Sequence, residues 1–339
     1  MNSKLLKYTK QGIYCPQADV YIDPAGKVDK AIITHAHSDH ARRGPEHFLA
    51  HPVTAALMKH RLGGRINIQE TEYGREILHN GIRISLHPAG HVPGSAQVRI
   101  EGCGEIAVIS GDYKTENDGF SAPFEPLKCD LFVTESTFAL PIYKWEQQEK
   151  IYDKINQWWL RNKNDGIVSV ICGYSIGKAQ RIIKHLDTSI GHIYAHKVIE
   201  DVNRILRSRG FTLPVTKEVN ESTAYEELKG NIIISPPSFV NSVVPGRIGK
   251  YSIGFASGWF KTRKAWGRQS CDAGFILSDH ADWDGLNEAI KLTQAERVYV
   301  THGFTAQFVK WLRSNEIKAF ELNKSEIYKN ELNKNEMSL

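Results

Sequence analysis

The run Thr34-His35-Ala36-His37-Ser38-Asp39-His40 packs four ligand-type side chains into six positions, directly after the apolar stretch Ala31-Ile32-Ile33. Where a buried strand gives way to a loop, residues i and i+2 point to one side, so His35 and His37 can grip one metal ion. Asp39 and His40 lie in the turning segment and can face a neighbouring ion. One loop cannot fill two coordination shells, and further donors stand at other strand ends. Pro88-Ala89-Gly90-His91-Val92-Pro93-Gly94-Ser95 sets His91 among small residues that let backbone approach an ion. Ile106-Ala107-Val108-Ile109-Ser110-Gly111-Asp112 ends a hydrophobic strand on a carboxylate able to bridge two cations, and Val298-Tyr299-Val300-Thr301-His302-Gly303 ends another on an imidazole.

Imidazole and carboxylate without thiolate suit zinc, and less well manganese or iron, whereas magnesium prefers an oxygen shell. Two such ions about 3.5 to 4 Å apart lower the pKa of a shared water and neutralise charge building at phosphorus, which fits phosphodiester hydrolysis. The other histidines, at 47, 51, 60, 79, 87, 185, 192 and 196, lack such company and are read as packing or surface residues. His280 stands apart from them, in Leu277-Ser278-Asp279-His280-Ala281-Asp282.

The elements that must hold these residues follow from the texture of the chain. Short β-rich runs bounded by Gly, Pro or Asp recur through the first 135 residues: 19–22, 31–34, 82–86, 96–100, 105–110 and 131–134. From Lys144 onward strands and helices alternate. Ile151, Ile155, Trp158 and Trp159 sit at helical spacing, strands are expected at 166–172, 190–195 and 231–234, and helices at 177–186, 197–209 and 223–229. That predicts a small parallel sheet. After Gly274 the β texture returns at 275–277 and 297–300, each strand followed by an amphipathic helix, at 283–292 and 305–313.

The composition is that of a globular protein: 339 residues, 41% apolar, 24% charged, with five cysteines and no Cys-x-x-Cys pair. Neither a disulfide framework nor a cysteine zinc cage is suggested. A formal net charge of +5 permits a polyanionic partner without requiring one. No apolar run approaches the roughly 18 residues of a membrane span, and the N-terminus lacks the h-region of a signal peptide, so no membrane association and a cytoplasmic location are expected.

His-x-His-x-Asp-His, then Gly-His, then Ser-Gly-Asp, in this order, resembles the metallo-β-lactamase fold, and the long interruption before the last histidine resembles its β-CASP nuclease branch. The resemblance covers nearly the whole chain. It implies an α/β protein, an αββα metallo-β-lactamase sandwich with an inserted α/β β-CASP domain. The expected boundaries are 1–137 for the first half, 138–272 for the insertion, 273–322 for the second half and 323–339 for a polar tail. It implies two zinc ions, with manganese as the alternative: His35, His37, His91 and Asp112 on one, and Asp39, His40, Asp112 and His302 on the other. Asp23, after Val20-Tyr21-Ile22, matches the first acidic motif and would orient a ligand. His280 looks like the general acid toward the departing O3′, and Glu135, in Val133-Thr134-Glu135-Ser136-Thr137, would orient it as a charge partner.

The inserted stretch points to a large substrate. Gly258 to Gln269 carries Lys261, Arg263, Lys264 and Arg268, no acid, and the aromatics Trp259, Phe260 and Trp266, a pattern that can neutralise phosphates and stack on bases. Lys178, in Cys172-Gly173-Tyr174-Ser175-Ile176-Gly177-Lys178, stands at a helix entry where it could hold a phosphate. Ser-Ile-Gly-Lys segments resemble those of Artemis-like DNA nucleases, and the whole chain, including Leu140-Pro141-Ile142-Tyr143-Lys144-Trp145, is similar to bacterial ligase-associated DNA exonucleases. The resemblance implies a 5′ to 3′ DNA exonuclease in DNA repair, acting through a zinc-activated hydroxide on single strands or duplex ends. It also implies functional association with an ATP-dependent DNA ligase and a helicase. His302 departs from the Artemis-like pattern, which has Val there, and agrees with RNase J-like RNA-processing nucleases, so RNA is the alternative substrate. A non-catalytic nucleic-acid-binding scaffold and a small-ester or lactam hydrolase are the rival readings.

Overall fold

In the computed structural model, which describes residues 1, 3–220, 222–238, 248–262 and 271–322, the chain divides into two compact units. One comprises Met1–Pro141 with His280–Leu339, the other Ile142–Asp279.

The first unit opens with β1 (Lys7–Thr9), β2 (Gly12–Cys15), β3 (Val20–Ile22), β4 (Lys30–Ile32), β5 (His47–Ala50) and β6 (Asn67–Glu70), hydrogen-bonded in sequence order, with helix α1 (Pro52–Leu62) between β5 and β6. The chain then forms β7 (Ile77–His79), β8 (Ile82–Pro88), β9 (Ala96–Gly102), β10 (Glu105–Ile109) and β11 (Leu131–Ser136). β7, β8, β9 and β10 pair antiparallel in succession, and β11 runs parallel to β10.

The second unit holds α2 (Gln148–Asn164), β12 (Val168–Cys172), α3 (Lys178–Lys184), β13 (Ile193–His196), α4 (Lys197–Ser208), β14 (Thr216–Val219), α5 (Tyr225–Leu228), β15 (Ile232–Ser235), β16 (Tyr251–Ala256) and β17 (Ala273–Phe275). Every pairing described among its strands is parallel, in the order β14-β13-β15-β12-β16-β17. Parallel strands joined by helices are covered on both faces and read as near-continuous apolar runs. Val168–Cys172 and Ile232–Ser235 are buried at every position. The Trp158 ring of α2 closes on Phe275 at 5.6 Å between centroids, so β17 belongs to this sheet by both pairing and packing.

The chain returns to the first unit with α6 (Trp283–Thr293), β18 (Arg297–Gly303), α7 (Thr305–Ser314) and β19 (Ala319–Glu321). β18 lies beside β11 and completes the second sheet, ordered β19-β18-β11-β10-β9-β8-β7. Strand alternation then sorts its side chains. Ala107, Ile109, Leu131, Val133 and Tyr299 join a core with Ile13, Cys15, Ile22 and Ile32 of the first sheet. Their neighbours Val108, Phe132, Val298 and Val300 face the other way and pack on Leu286 and Ile290 of α6 and Phe308 and Leu312 of α7. The second sheet is therefore buried on both sides, and its parallel strands β10, β11 and β18 end together at one rim.

Candidate metal centre

The rim is where the ligand-type residues gather. After β4 the backbone carbonyl of Thr34 accepts from Ala96 N–H at 2.8 Å, which ties the loop to the start of β9. Asp23, just past β3, fastens the other side. One of its oxygens accepts from Thr34 N–H at 2.8 Å, and the other accepts from the Thr34 hydroxyl at 2.5 Å and pairs with His40 Nδ1 at 2.7 Å. Asp23 adopts φ +44°, a left-handed conformation that aspartate and asparagine tolerate better than most residues. With Nδ1 held by a carboxylate, His40 carries its proton there and turns Nε2 inward.

Two glycines let the remaining strand ends approach. Gly90 precedes His91 at φ +75°, where a Cβ would strike the carbonyl oxygen of Lys114. Gly111 precedes Asp112 at φ +58°, where a Cβ would lie 2.7 Å from that of Thr34. Ligand atoms of His35, His37, His91 and Asp112 all come within 4.8 Å of one another, and those of His35, Asp39 and His40 form an overlapping group. His91 Nε2 lies 3.1 Å from His37 Nδ1. One oxygen of Asp112 sits 3.7 Å from His35 Nε2, 3.5 Å from His40 Nε2 and 3.9 Å from His91 Nε2, so this carboxylate, a member of the first group, also lies close to two residues of the second.

These spacings suit an ion. Donors about 2.0–2.1 Å from a tetrahedral zinc stand roughly 3.3–3.4 Å from one another, close to the separations observed. His35 Nε2 and His40 Nε2 are buried and have no hydrogen-bond partner, which is costly unless something binds them. Charge agrees with geometry. Burial, reinforced by His40, His91 and His37, pushes His35 far below the usual imidazole range, leaving it neutral. Burial also opposes a charged His40, but Asp112 and Asp23 outweigh it and raise His40 well above that range. Asp112 is held well below the usual carboxylate range, chiefly by His40, despite its burial. A cation supplied here would replace the proton on His40 as the counter-charge to Asp112.

Beside this cluster stands a second arrangement. Glu135, 1% exposed near the end of β11, accepts from Tyr113 N–H at 2.8 Å and Thr137 N–H at 3.3 Å. Its two oxygens also lie 2.9 and 3.0 Å from His280 Nδ1. The His280 ring is 4.6 Å from that of His91 between centroids and meets Phe138 edge to face at 5.9 Å. Nδ1 is thus fixed by the carboxylate. His302, at φ +53° near the end of β18, is exposed, with its ring 5.5 Å from that of His40 and its Nδ1 3.1 Å from the Thr301 hydroxyl. It lines a cavity of about 220 Å³ together with Asp39, His40 and Arg42, but its donor atoms do not join either four- or three-residue group.

The residues expected to meet nucleic acid divide. Lys261 is exposed at the end of a short 3₁₀ turn, Gly258–Lys261, next to the half-exposed Trp259. Arg263, Lys264 and Arg268, with Trp266, lie outside the described residues. Lys178 differs from expectation. It is 3% exposed and its ammonium is 3.0 Å from Asp279, which also pairs with Arg181 at 3.1 Å, so its charge is engaged with a carboxylate of the same unit. Sequence reasoning passed over Thr34 and Tyr113, which hold Asp23 and Glu135; each directly adjoins a ligand-type residue, and that adjacency is the one signal available.

No protein-family model matches the chain. Over 315 residues, 92% of its length, it is 30% identical to a probable DNA ligase of Opitutus terrae, and the match covers 30% of that protein. Over 124 residues, 35% of its length, it is 28% identical to cleavage and polyadenylation specificity factor subunit 3 of Dictyostelium discoideum, covering 16% of that protein. Over 124 residues it is 30% identical to endoribonuclease YSH1 of Saccharomyces cerevisiae, covering 15%. The chain spans less than a third of the length of each of these relatives. Together with the mixed α/β architecture, these likenesses support the metallo-β-lactamase β-CASP family that the motif order resembles.

Proposed function

We propose that this chain is a metal-dependent DNA exonuclease of 5′ to 3′ polarity that works in DNA repair with two zinc ions, manganese being the alternative, and that its first unit is an αββα sandwich. The carrying observation is that the His35, His37, His91 and Asp112 donors converge within 4.8 Å while Glu135 holds His280 beside His91. His35, His37, His91 and Asp112 would hold one ion, and Asp39, His40, Asp112 and His302 the other, with His302 swinging inward from its exposed position. Bound there, the ions supply an activated water at neutral pH and offset the charge that develops on phosphorus. Asp23 keeps the His40 proton on Nδ1, so that Nε2 remains a donor. Glu135 keeps His280 oriented, and His280 Nε2 delivers a proton to the departing O3′. Lys261, with Arg263, Lys264 and Arg268, contacts the phosphates of the strand.

DNA is favoured because the match that covers 92% of the chain is to a protein named as a probable DNA ligase, and a ligase carrying such a region supports functional association with ligation. The second reading, an RNA-processing nuclease, rests on matches named as endoribonucleases, which cover between 35% and 64% of the chain. One 5′-phosphorylated oligonucleotide, end-labelled and prepared as DNA and as RNA, separates the two. We expect mononucleotide release from the DNA strand and its loss in Asp112→Asn. Preferred cleavage of the RNA strand would establish the second reading, and ordinary turnover by Asp112→Asn would count against the dinuclear centre.

A further inference from the structure

The loop that carries His35, His37, Asp39 and His40 is staked on one side by Asp23. Its other side is held by a residue outside every motif. Arg61 lies in the last turn of α1, half-buried. Its Nε donates to the carbonyl of Ala36 at 3.2 Å, and its Nη2 donates to the carbonyl of Ala41 and, at 3.5 Å, to that of His37. Ala36 and Ala41 are 1% and 0% exposed. Buried carbonyls in irregular backbone must find donors, because leaving them bare costs about as much as a lost hydrogen bond. Within the loop His40 N–H and Ala41 N–H both turn back to the His37 carbonyl, at 3.3 and 2.9 Å. The Arg61 fork therefore braces the turn from outside, spanning the residues just before His37 and just after His40.

We infer that Arg61 is a positioning residue for the metal centre: its guanidinium sets the backbone of residues 36–41 so that His35, His37, Asp39 and His40 present their donors at ligating distances. The inference rests on the metal-centre reading above. The planar fork is what the task requires, since one rigid group serves carbonyls on both sides of the turn. A lysine keeps the charge but has a single nitrogen for the same oxygens.

The test is metal binding by the full chain, read without catalysis. Zinc affinity is measured by chelator competition, and cobalt is substituted so that the intensity and position of its visible ligand-field bands report coordination. We expect Arg61→Ala to weaken zinc by about 10- to 100-fold, the range found when residues supporting a ligand are removed, and to alter the cobalt bands. Guanidinium chloride at tens of millimolar should restore both, and Arg61→Lys should fall between wild type and alanine. A folded Arg61→Ala chain with wild-type zinc affinity and an unchanged cobalt spectrum would overturn the inference and leave Arg61 as packing for α1. If Arg61→Ala does not fold, Arg61→Lys carries the test: reduced affinity supports the role and wild-type affinity removes it. A wild-type chain that fails to bind zinc or cobalt would instead defeat the metal-centre reading.

Discussion

Replacing Asp23 by Asn probes how a residue that touches no metal controls one. Asparagine is nearly isosteric and tolerates the left-handed backbone at φ +44°, so the turn after β3 should survive. Its carbonyl oxygen can go on accepting from Thr34 N–H, now 2.8 Å from Oδ1. The amide nitrogen then takes the place of Oδ2, which in the wild type faces both the Thr34 hydroxyl at 2.5 Å and His40 Nδ1 at 2.7 Å. An amide there donates to Nδ1, the imidazole proton moves to Nε2, and the lone pair facing Asp112 is lost. Returning His40 to the ligating tautomer costs the Asp23 substitute at least one hydrogen bond, and altering such supporting partners lowers metal affinity by about 10- to 100-fold, equivalent to about 1.4–2.8 kcal/mol. Competition with a zinc chelator at pH 7.5, with thermal melting to confirm the fold, measures the effect. Asp23→Asn binding zinc as tightly as wild type, at equal stability, would refute the tautomer argument.

His280→Ala should leave metal content intact and slow cleavage by about 10² to 10⁴, the usual contribution of a positioned acid; loss of zinc in that variant would make His280 a ligand. Glu105, 4% exposed, accepts from Ser3 Oγ, Lys4 N–H, Leu5 N–H and Arg297. Burial works against its ionisation, but these partners prevail and hold its carboxyl below the ordinary value of 4.5. The stabilisation it provides is therefore complete above pH 4.5 and disappears as pH falls through its lower folded value. Glu105→Gln should cost about 3 kcal/mol near neutrality, as expected for breaking a buried pair, and the melting-temperature gap to wild type should narrow as pH falls below 4.5; a gap independent of pH contradicts this. Lys178→Met should destabilise the second unit by a similar amount while leaving the salt dependence of oligonucleotide binding unchanged. A slope reduced by about one would place Lys178 on a phosphate after all.

Much of the molecule was readable from patterns that the fold uses directly. Strand runs ending on Asp112 and His302, and the continuous apolar runs at 168–172 and 232–235, needed only periodicity and burial. Helix α1 did not show itself, because its buried residues Val53, Thr54, Ala55, Leu57, Met58 and Leu62 leave no single apolar stripe. The short strands β1, β6 and β7 are fixed by their partners rather than by their own sequences. The same limit explains Lys178. A lysine at a helix entry reads as a phosphate holder until the fold brings Asp279 to 3.0 Å. Arg61 was invisible for the converse reason, since its partners are main-chain carbonyls, which leave no mark in a sequence.

Ligand-type residues reach the rim from β4, β10, β18 and the turn before β9, while the apolar interior beneath them is made of other residues altogether. Such a site is a product of folding and not its cause. In the denatured chain only the neighbours His35, His37, Asp39 and His40 could meet an ion together, so an ion bound here would gain its full set of donors late. Unlike a zinc finger, which collapses when chelated, this protein should tolerate EDTA as a folded, loadable apoprotein, and any drop in melting temperature should follow the logarithm of the free metal concentration.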